Sequence, residues 1–216
     1  MWRMSTVCGV LAVTLLLMGC QPDELTLEVY TSDVELAKNE PIEVTATVSF
    51  SLLGEDQEGL LDQVSAMAIP YLSPDSEFSK SKATLGENLV IKTKIPMGTR
   101  AVLDTYLETN TRLLAIELED ETAYIRETAA LQLFDESISR LNFMLGLEFP
   151  AKETQVNIIS DSRDTKELLA IAVFVDRKPH LIFEKSLARR DSVSLIFKGS
   201  SDSVYSEVEP QWMLLP

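Results

Sequence analysis

The stretch IEVTATVSFSL, residues 42–52, alternates apolar and polar side chains throughout its length. A period of two is typical of a β-strand, because successive side chains point to opposite faces of a sheet. The residues that share the apolar face are Ile42, Val44, Ala46, Val48, Phe50 and Leu52. We therefore expect a strand that buries one face in a core and exposes the other to solvent.

Two later segments repeat their apolar residues at helical spacing, which places those residues on one side of an α-helix. The first stripe consists of Leu60, Leu61, Val64, Met67, Ala68 and Tyr71, and the second of Leu131, Phe134, Ile138, Leu141 and Leu145. Pro70 should end the first helix, and Gly146 is suited to follow the second. Ser32 and Glu35 fit a capping box, which predicts a short helical turn through Asn39.

The other apolar runs are short and bounded by turn residues, as in β-strands. Residues 78–95 have the pattern of a hairpin, and four further runs lie at 155–160, 168–175, 180–187 and 192–197. The uninterrupted apolar run 168–175 predicts a central strand that is covered on both faces. The predicted fold class is α+β, with a mainly antiparallel sheet and two or so packed amphipathic helices in a single domain over residues 25–216.

Composition excludes several classes of protein. With 45% hydrophobic residues, the chain is not disordered throughout. Its 34 acidic and 19 basic side chains give a net charge of -15, which excludes non-specific binding of nucleic acid through the phosphate backbone. A single histidine excludes a site with several histidine ligands. We expect no cofactor and no metal. Residues 21–150 carry 24 acidic and 9 basic side chains, whereas residues 151–216 carry 10 and 9. Such asymmetry fits two domains or one domain with an acidic and a neutral part, and we favour one domain.

The first twenty residues have the pattern of a targeting segment. Arg3 precedes an apolar run from Val7 to Met18, which is shorter than the roughly 20 residues that a membrane-spanning helix needs. The length suits the apolar region of a secretory signal peptide.

The segment Leu17-Met18-Gly19-Cys20 resembles the lipobox of bacterial lipoproteins. The resemblance implies that residues 1–19 are a cleaved signal peptide, that Cys20 carries the lipid and that residues 20–24 form a short tether. It also implies an outer-membrane location facing the periplasm, because Gln21 is not the aspartate that retains such proteins in the inner membrane. The inner membrane and the cell surface remain alternatives. With Cys8 removed and Cys20 lipidated, the mature chain has no free thiol.

Common catalytic patterns are missing from the sequence. It contains no nucleophile elbow, phosphate-binding loop, dinucleotide fingerprint or zinc-protease motif. The sole histidine, His180, would have to serve as the base of any Ser-His-Asp triad. We interpret it instead as an exposed residue at the start of a strand. Tyr205 and Trp212 are interpreted as aromatic residues of the C-terminal segment that close over a core edge, with a ligand platform as the alternative.

Acidic clusters are the remaining candidates for chemistry. One comprises Glu117, Glu119, Asp120 and Glu121, and the other Asp161 and Asp164. Two converging carboxylates could hydrolyse an envelope polymer or hold Ca²⁺, although solvated surface is the simpler interpretation in so acidic a chain. An enzyme predicts two carboxylates in one concave pocket, with at least one perturbed pKa. A binding module predicts dispersed carboxylates.

The predicted hairpin suggests a basic strip. If Ser79, Ser81 and Ala83 share the apolar face with Leu89 and Ile91, the opposite face carries Lys80, Lys82, Lys92 and Lys94. Four lysines on one face repel one another, so something negative should lie nearby. An acidic neighbouring strand, lysines guarding a sheet edge, and an anionic partner or lipid headgroups each fit this pattern.

The function expected from the sequence is a non-enzymatic lipoprotein of the bacterial envelope. Its partners would be the membrane, through its lipid, and an envelope protein of unknown identity. The alternative is a carboxylate-dependent hydrolase that uses a pair drawn from Glu117, Glu119, Asp161 and Asp164.

Overall fold

The computed structural model describes residues 23–53, 59–83, 86–141, 151–198 and 209–215. The predictions for the signal peptide, for Cys20, for the helix end near Gly146 and for Tyr205 concern residues outside these ranges. Eleven strands are described: β1 (Glu24–Tyr30), β2 (Ile42–Leu53), β3 (Glu77–Ala83), β4 (Gly86–Thr99), β5 (Leu114–Glu119), β6 (Thr122–Glu127), β7 (Glu153–Ile159), β8 (Lys166–Val175), β9 (Lys178–Leu187), β10 (Ser192–Lys198) and β11 (Gln211–Leu215). The α-helices of the described ranges are α1 (Thr31–Leu36), α2 (Leu60–Ala68), α3 (Arg100–Leu107) and α4 (Ala129–Leu141).

Nine of these strands close into a barrel. Their order is β10-β7-β1-β2-β4-β5-β6-β11-β8, and the pairing of Ile196 with Phe174 joins β10 to β8 and completes the ring. Strand β3 pairs with the first half of β4, and β9 pairs with β8 along its length. Most pairs are antiparallel, but β1 pairs with β7 and β4 with β5 in parallel.

The predicted α+β class is therefore wrong. The molecule is mostly β-structure, its sheet closes on itself, and its helices are short. The positions of the strands and helices can be predicted from the sequence because they depend on local periodicity. Ring closure depends on pairings between distant segments, which no local pattern specifies.

The ring encloses the main hydrophobic core. Each of its strands contributes at least one buried side chain: Leu25, Val44, Ile95, Ile116, Ala123, Val156, Leu168, Leu195 and Trp212. The strands come from both sides of residue 150, so the acidic and the nearly neutral parts of the sequence share one core.

Helices α2 and α4 pack together beside the ring. Ala68, Phe134 and Ile138 form a small cluster between them, and Leu61 packs onto Leu89 and Ile91 of β4. Leu61 and Ala68 belong to the first apolar stripe that the sequence predicts, and Phe134 and Ile138 to the second, whereas Leu145 lies outside the described residues. A 3₁₀ turn at Ile69–Tyr71 follows α2. Within the described ranges, no helix combines the length and the apolar character that crossing a bilayer demands.

Candidate functional site

Glu117 is a buried carboxylate, not a solvated one as the simpler interpretation had it. Its neighbours in β5, Ile116 and Leu118, belong to the core inside the ring. Because side chains alternate along a strand, Glu117 points outward, and α3 packs against this part of β4 and β5. The Glu117 side chain is only 3% exposed.

Two arginines occupy both oxygens of the Glu117 carboxylate. Arg100 Nε donates to Oε1 over 2.8 Å, and Arg126 Nη1 donates to Oε2 over 3.1 Å. Arg126 also pairs with Asp104 over 2.9 Å. Tyr124 lies directly across from Glu117 in the sheet, and burial, followed by its hydrogen bond to Glu117, raises the pKa of the Tyr124 phenol. This arrangement binds α3 to β5 and β6, and each oxygen of the Glu117 carboxylate accepts a hydrogen bond from an arginine.

The other predicted carboxylates lie elsewhere. Glu119 is exposed at the end of β5, and Asp164 is exposed in the loop after β7. Asp161, in the same loop, caps α1: it accepts hydrogen bonds from Thr31 Oγ1 at 3.0 Å, from Ser32 N at 2.9 Å and from Ser32 Oγ at 2.6 Å. The predicted capping box is therefore wrong, and the cap comes from a residue remote in sequence.

The cap shifts the pKa values of two carboxyl groups in opposite directions. Burial alone would raise the pKa of Asp161, but the hydrogen bonds from Ser32 and Thr31 outweigh it and lower that pKa. The pKa of Asp33 is raised, first by burial and then by the charge of Asp161. Asp33 lies in the first turn of the six-residue helix α1, and Asp161 caps that helix from the loop after β7.

Replacing Asp161 with alanine should lower the free energy of unfolding by about 1 kcal/mol at neutral pH, because α1 loses its cap. The folded-state pKa of Asp161 is depressed, so its stabilisation is present above the unfolded pKa and is lost as the pH falls through the folded value. Urea unfolding of both proteins should therefore show a difference at pH 7 that vanishes in acid. Asp164→Ala, the control in the same loop, should change stability by no more than about 0.5 kcal/mol. A loss that persists in acid would contradict the capping role.

Arg112 is a buried residue that no sequence pattern indicated. It is 8% exposed, and its Nη2 lies 3.3 Å from both Glu43 Oε1 and Tyr106 Oη. Its Nε is buried without a hydrogen-bond partner in the described chain. A lone arginine ahead of an apolar strand gives no periodic signal, so the sequence could not have singled it out.

Arg112 lines both a small cavity and an open cleft. One is an apolar cavity of about 40 Å³ between the ring and helices α2 and α4, with Ala46, Ala68 and Phe134 among its lining residues. The other is an open cleft of about 470 Å³ beside α3 and the start of α4. The cavity has room for water but is smaller than the ~150 Å³ that holds a benzene ring.

The predicted lysine strip does not exist. Lys80 lies opposite Leu89, Lys82 opposite Glu87 and Lys92 opposite Glu77. Because directly opposed residues share a face, Lys80 and Lys82 lie on the other face from Lys92 and Lys94. Lys80 pairs with Asp62 over 2.8 Å and Lys94 with Asp75 over 3.9 Å.

The cause of the wrong register is Phe78. Phe78 packs beside Leu89 and Ile91, so the even-numbered residues of β3 share the apolar face. The prediction placed Ser79 and Ser81 there instead. One large aromatic side chain gains more from burial than several small polar ones. The register therefore removes the reason for assigning a shared binding role to the four lysines.

His180 packs against another aromatic ring, and Trp212 is buried in the core. His180 lies near the start of β9, half-buried and edge-on to Phe183 at 5.3 Å between ring centroids. Trp212 is 1% exposed inside the ring. It is more deeply buried than an aromatic residue at a core edge, and a ligand platform would need an exposed ring.

Across the described residues, no group of three or more His, Cys, Asp or Glu side chains is placed to hold a metal ion. No protein-family model, curated protein or solved structure matches this chain.

Proposed function

We propose that this chain is a lipoprotein of the bacterial envelope, held to a membrane by lipid on Cys20, with a β-barrel domain that acts as a non-enzymatic binding or structural module. The observation that carries the proposal is the segment Leu17-Met18-Gly19-Cys20, followed within four residues by the first barrel strand at Glu24. All nine strands of the ring lie at or after this point, so cleavage before Cys20 removes no part of the ring.

The same resemblance supports an outer-membrane location facing the periplasm, because Gln21 follows the lipidated cysteine. The tether of residues 20–24 spans at most about 14 Å when extended. The barrel therefore acts close to its membrane, on an envelope partner within short reach.

The arrangement of the carboxylates supports a binding or structural module over a hydrolase. Glu117 is occupied by two arginines, Asp161 caps a helix, Glu119 is exposed at the end of β5, and Asp164 is exposed in the loop after β7. A hydrolase of the proposed kind needs two carboxylates that converge on one substrate bond.

Replacing Cys20 with alanine should abolish incorporation of labelled palmitate and release the protein from the membrane fraction. Cys8→Ala is the matched control, because Cys8 lies inside the predicted signal peptide and should leave labelling unchanged. Unchanged labelling and fractionation of the Cys20→Ala protein would refute the lipid anchor.

A further inference from the structure

We infer that the open cleft between α3 and α4 is a binding site for a short peptide that has a free amino end, a free carboxyl end and an apolar side chain. The cleft is separate from the proposed lipid anchor, because the described residues that line it all lie between Asp104 and Leu133. The inference therefore goes beyond the anchor and does not depend on it.

The cleft has the size of a ligand site. It measures about 470 Å³, and pockets for small ligands measure about 300–1,000 Å³. One wall is the end of α3, through Asp104, Leu107 and Glu108, and the other is the start of α4, through Ala129, Ala130 and Leu133. A leucine therefore stands in each wall, and Leu133 is 55% exposed. An apolar side chain of a ligand can cover both leucines, which removes apolar surface from water.

The α4 wall attracts anions. The backbone N–H groups of Ala129 and Ala130 have no hydrogen-bond acceptor in the described chain, and the first turn of α4 holds no acidic residue. The hydroxyl of Thr128, just before the helix, bonds instead to the carbonyl oxygens of Arg112 and Leu113. Unsatisfied N–H groups at the start of a helix carry partial positive charge and bind carboxylates. The start of α4 is therefore suited to hold the carboxyl end of a peptide.

Arg112 adds a permanent positive charge to the lining of the cleft. Its side chain is 9% exposed, and its ion-pair partner Glu43, 3.3 Å away, is 32% exposed and lies outside the lining. The buried Nε of Arg112 has no hydrogen-bond partner in the described chain. Arg126 also lines the cleft, but Asp104 and Glu117 already occupy its guanidinium. Arg112 is therefore the cation that adds to the attraction of the α4 wall for a carboxylate.

The α3 wall attracts cations. The C-terminal end of a helix carries partial negative charge, and α3 ends in this wall at Leu107. Glu108, the next residue, is exposed and forms no ion pair with the described part of the chain, whereas Asp104 pairs with Arg126. Glu108 is therefore the carboxylate that is available to the ammonium group of a ligand.

The two walls together select the class of ligand. A simple anion is attracted by the α4 wall but repelled by Glu108, and a simple cation is attracted by Glu108 but repelled by Arg112. A peptide with both ends free carries one charge for each wall, and an apolar side chain between those ends meets Leu107 and Leu133. The same charges at matching positions favour the peptide over a ligand that carries only one of them.

The experiment is calorimetric titration of the full-length chain, in nonionic detergent, with the tripeptide alanyl-leucyl-alanine. For a ligand of this size we expect a dissociation constant of about 0.1 mM. Amidation of the carboxyl end should weaken binding about tenfold, because it removes charge-assisted hydrogen bonds. Acetylation of the amino end should weaken binding about threefold, because Glu108 is exposed. Absence of saturable binding at millimolar peptide, or equal affinity for the three peptides, would overturn the inference.

Two variants test the walls separately. Ala129→Asp places a carboxylate at the exposed start of α4, where it favours the helix but competes with the peptide, so binding should weaken about tenfold without loss of stability in urea. Glu108→Gln should make the free and the acetylated peptide bind equally. Glu119→Gln is the matched control, because Glu119 is exposed outside the cleft and should leave binding unchanged. Full affinity in Ala129→Asp, or equal effects of Glu108→Gln and Glu119→Gln, would refute the site. Palmitate labelling at Cys20 is a separate measurement, so failure of the anchor and failure of the cleft are distinguishable.

Discussion

Replacing Trp212 with alanine should lower the free energy of unfolding by about 4 kcal/mol. The indole is 1% exposed and sits on β11, the five-residue strand that joins β6 to β8. Its partners on either side are Ala123 and Ala170, whose methyl groups cannot expand into the space that the indole leaves. Such a loss is a large part of the ~5–15 kcal/mol that stabilises an ordinary domain. Urea unfolding followed by far-ultraviolet circular dichroism measures it.

Two further variants keep this prediction testable even if Trp212→Ala does not fold. Trp212→Phe retains an aromatic ring and removes the indole N–H, which has no partner among the described residues, so it should cost about half as much or less. Met213→Ala changes the neighbouring, half-buried residue and should also cost less. If Trp212→Ala and Met213→Ala lowered the free energy of unfolding equally, Trp212 would not stabilise the fold by filling the ring interior.

Replacing Glu117 with alanine should lower the free energy of unfolding by about 2–3 kcal/mol. Breaking a fully buried ion pair by removing one partner costs about 3–5 kcal/mol. The loss here is smaller because the Arg100 side chain is 72% exposed and can turn to water. Arg126, which is 30% exposed, retains its ion pair with Asp104.

Glu119→Ala provides the control for Glu117, two residues further along the same strand. Its side chain is exposed, so the change should stay within about 0.5 kcal/mol. Both variants are compared with the parent protein by urea unfolding at neutral pH. Equal effects at the two positions would show that the contacts with the arginines add nothing to stability.

Local structure was predictable wherever it depends on periodicity. The alternation over 42–52 corresponds to β2, Ile42–Leu53, and the two helical stripes correspond to α2 and α4. Helix α3 was not predicted, because Arg100–Leu107 buries only Leu103 and so has no long apolar stripe.

Long-range features were not predictable for a different reason. Closure of the ring by Ile196 and Phe174, and the cap on α1 from Asp161, join residues that no local pattern relates. The predicted β3–β4 register is wrong because an alternating pattern does not show which face of the strand is buried. The packing of Phe78 decides it. Burial of Glu117 depends on α3, whose position follows from the ring and not from the acidic run around it.

The place of β11 in the ring has a consequence for biosynthesis. Trp212 pairs with Ala123, which was made 89 residues earlier, and with Ala170, made 42 residues earlier. Until Gln211–Leu215 has been synthesised, the facing edges of β6 and β8 lack the strand that joins them. Unpaired strand edges attract other chains. A product that terminates before Gln211 is therefore expected to aggregate instead of folding as a smaller domain, so folding of the ring requires that β11 has been synthesised.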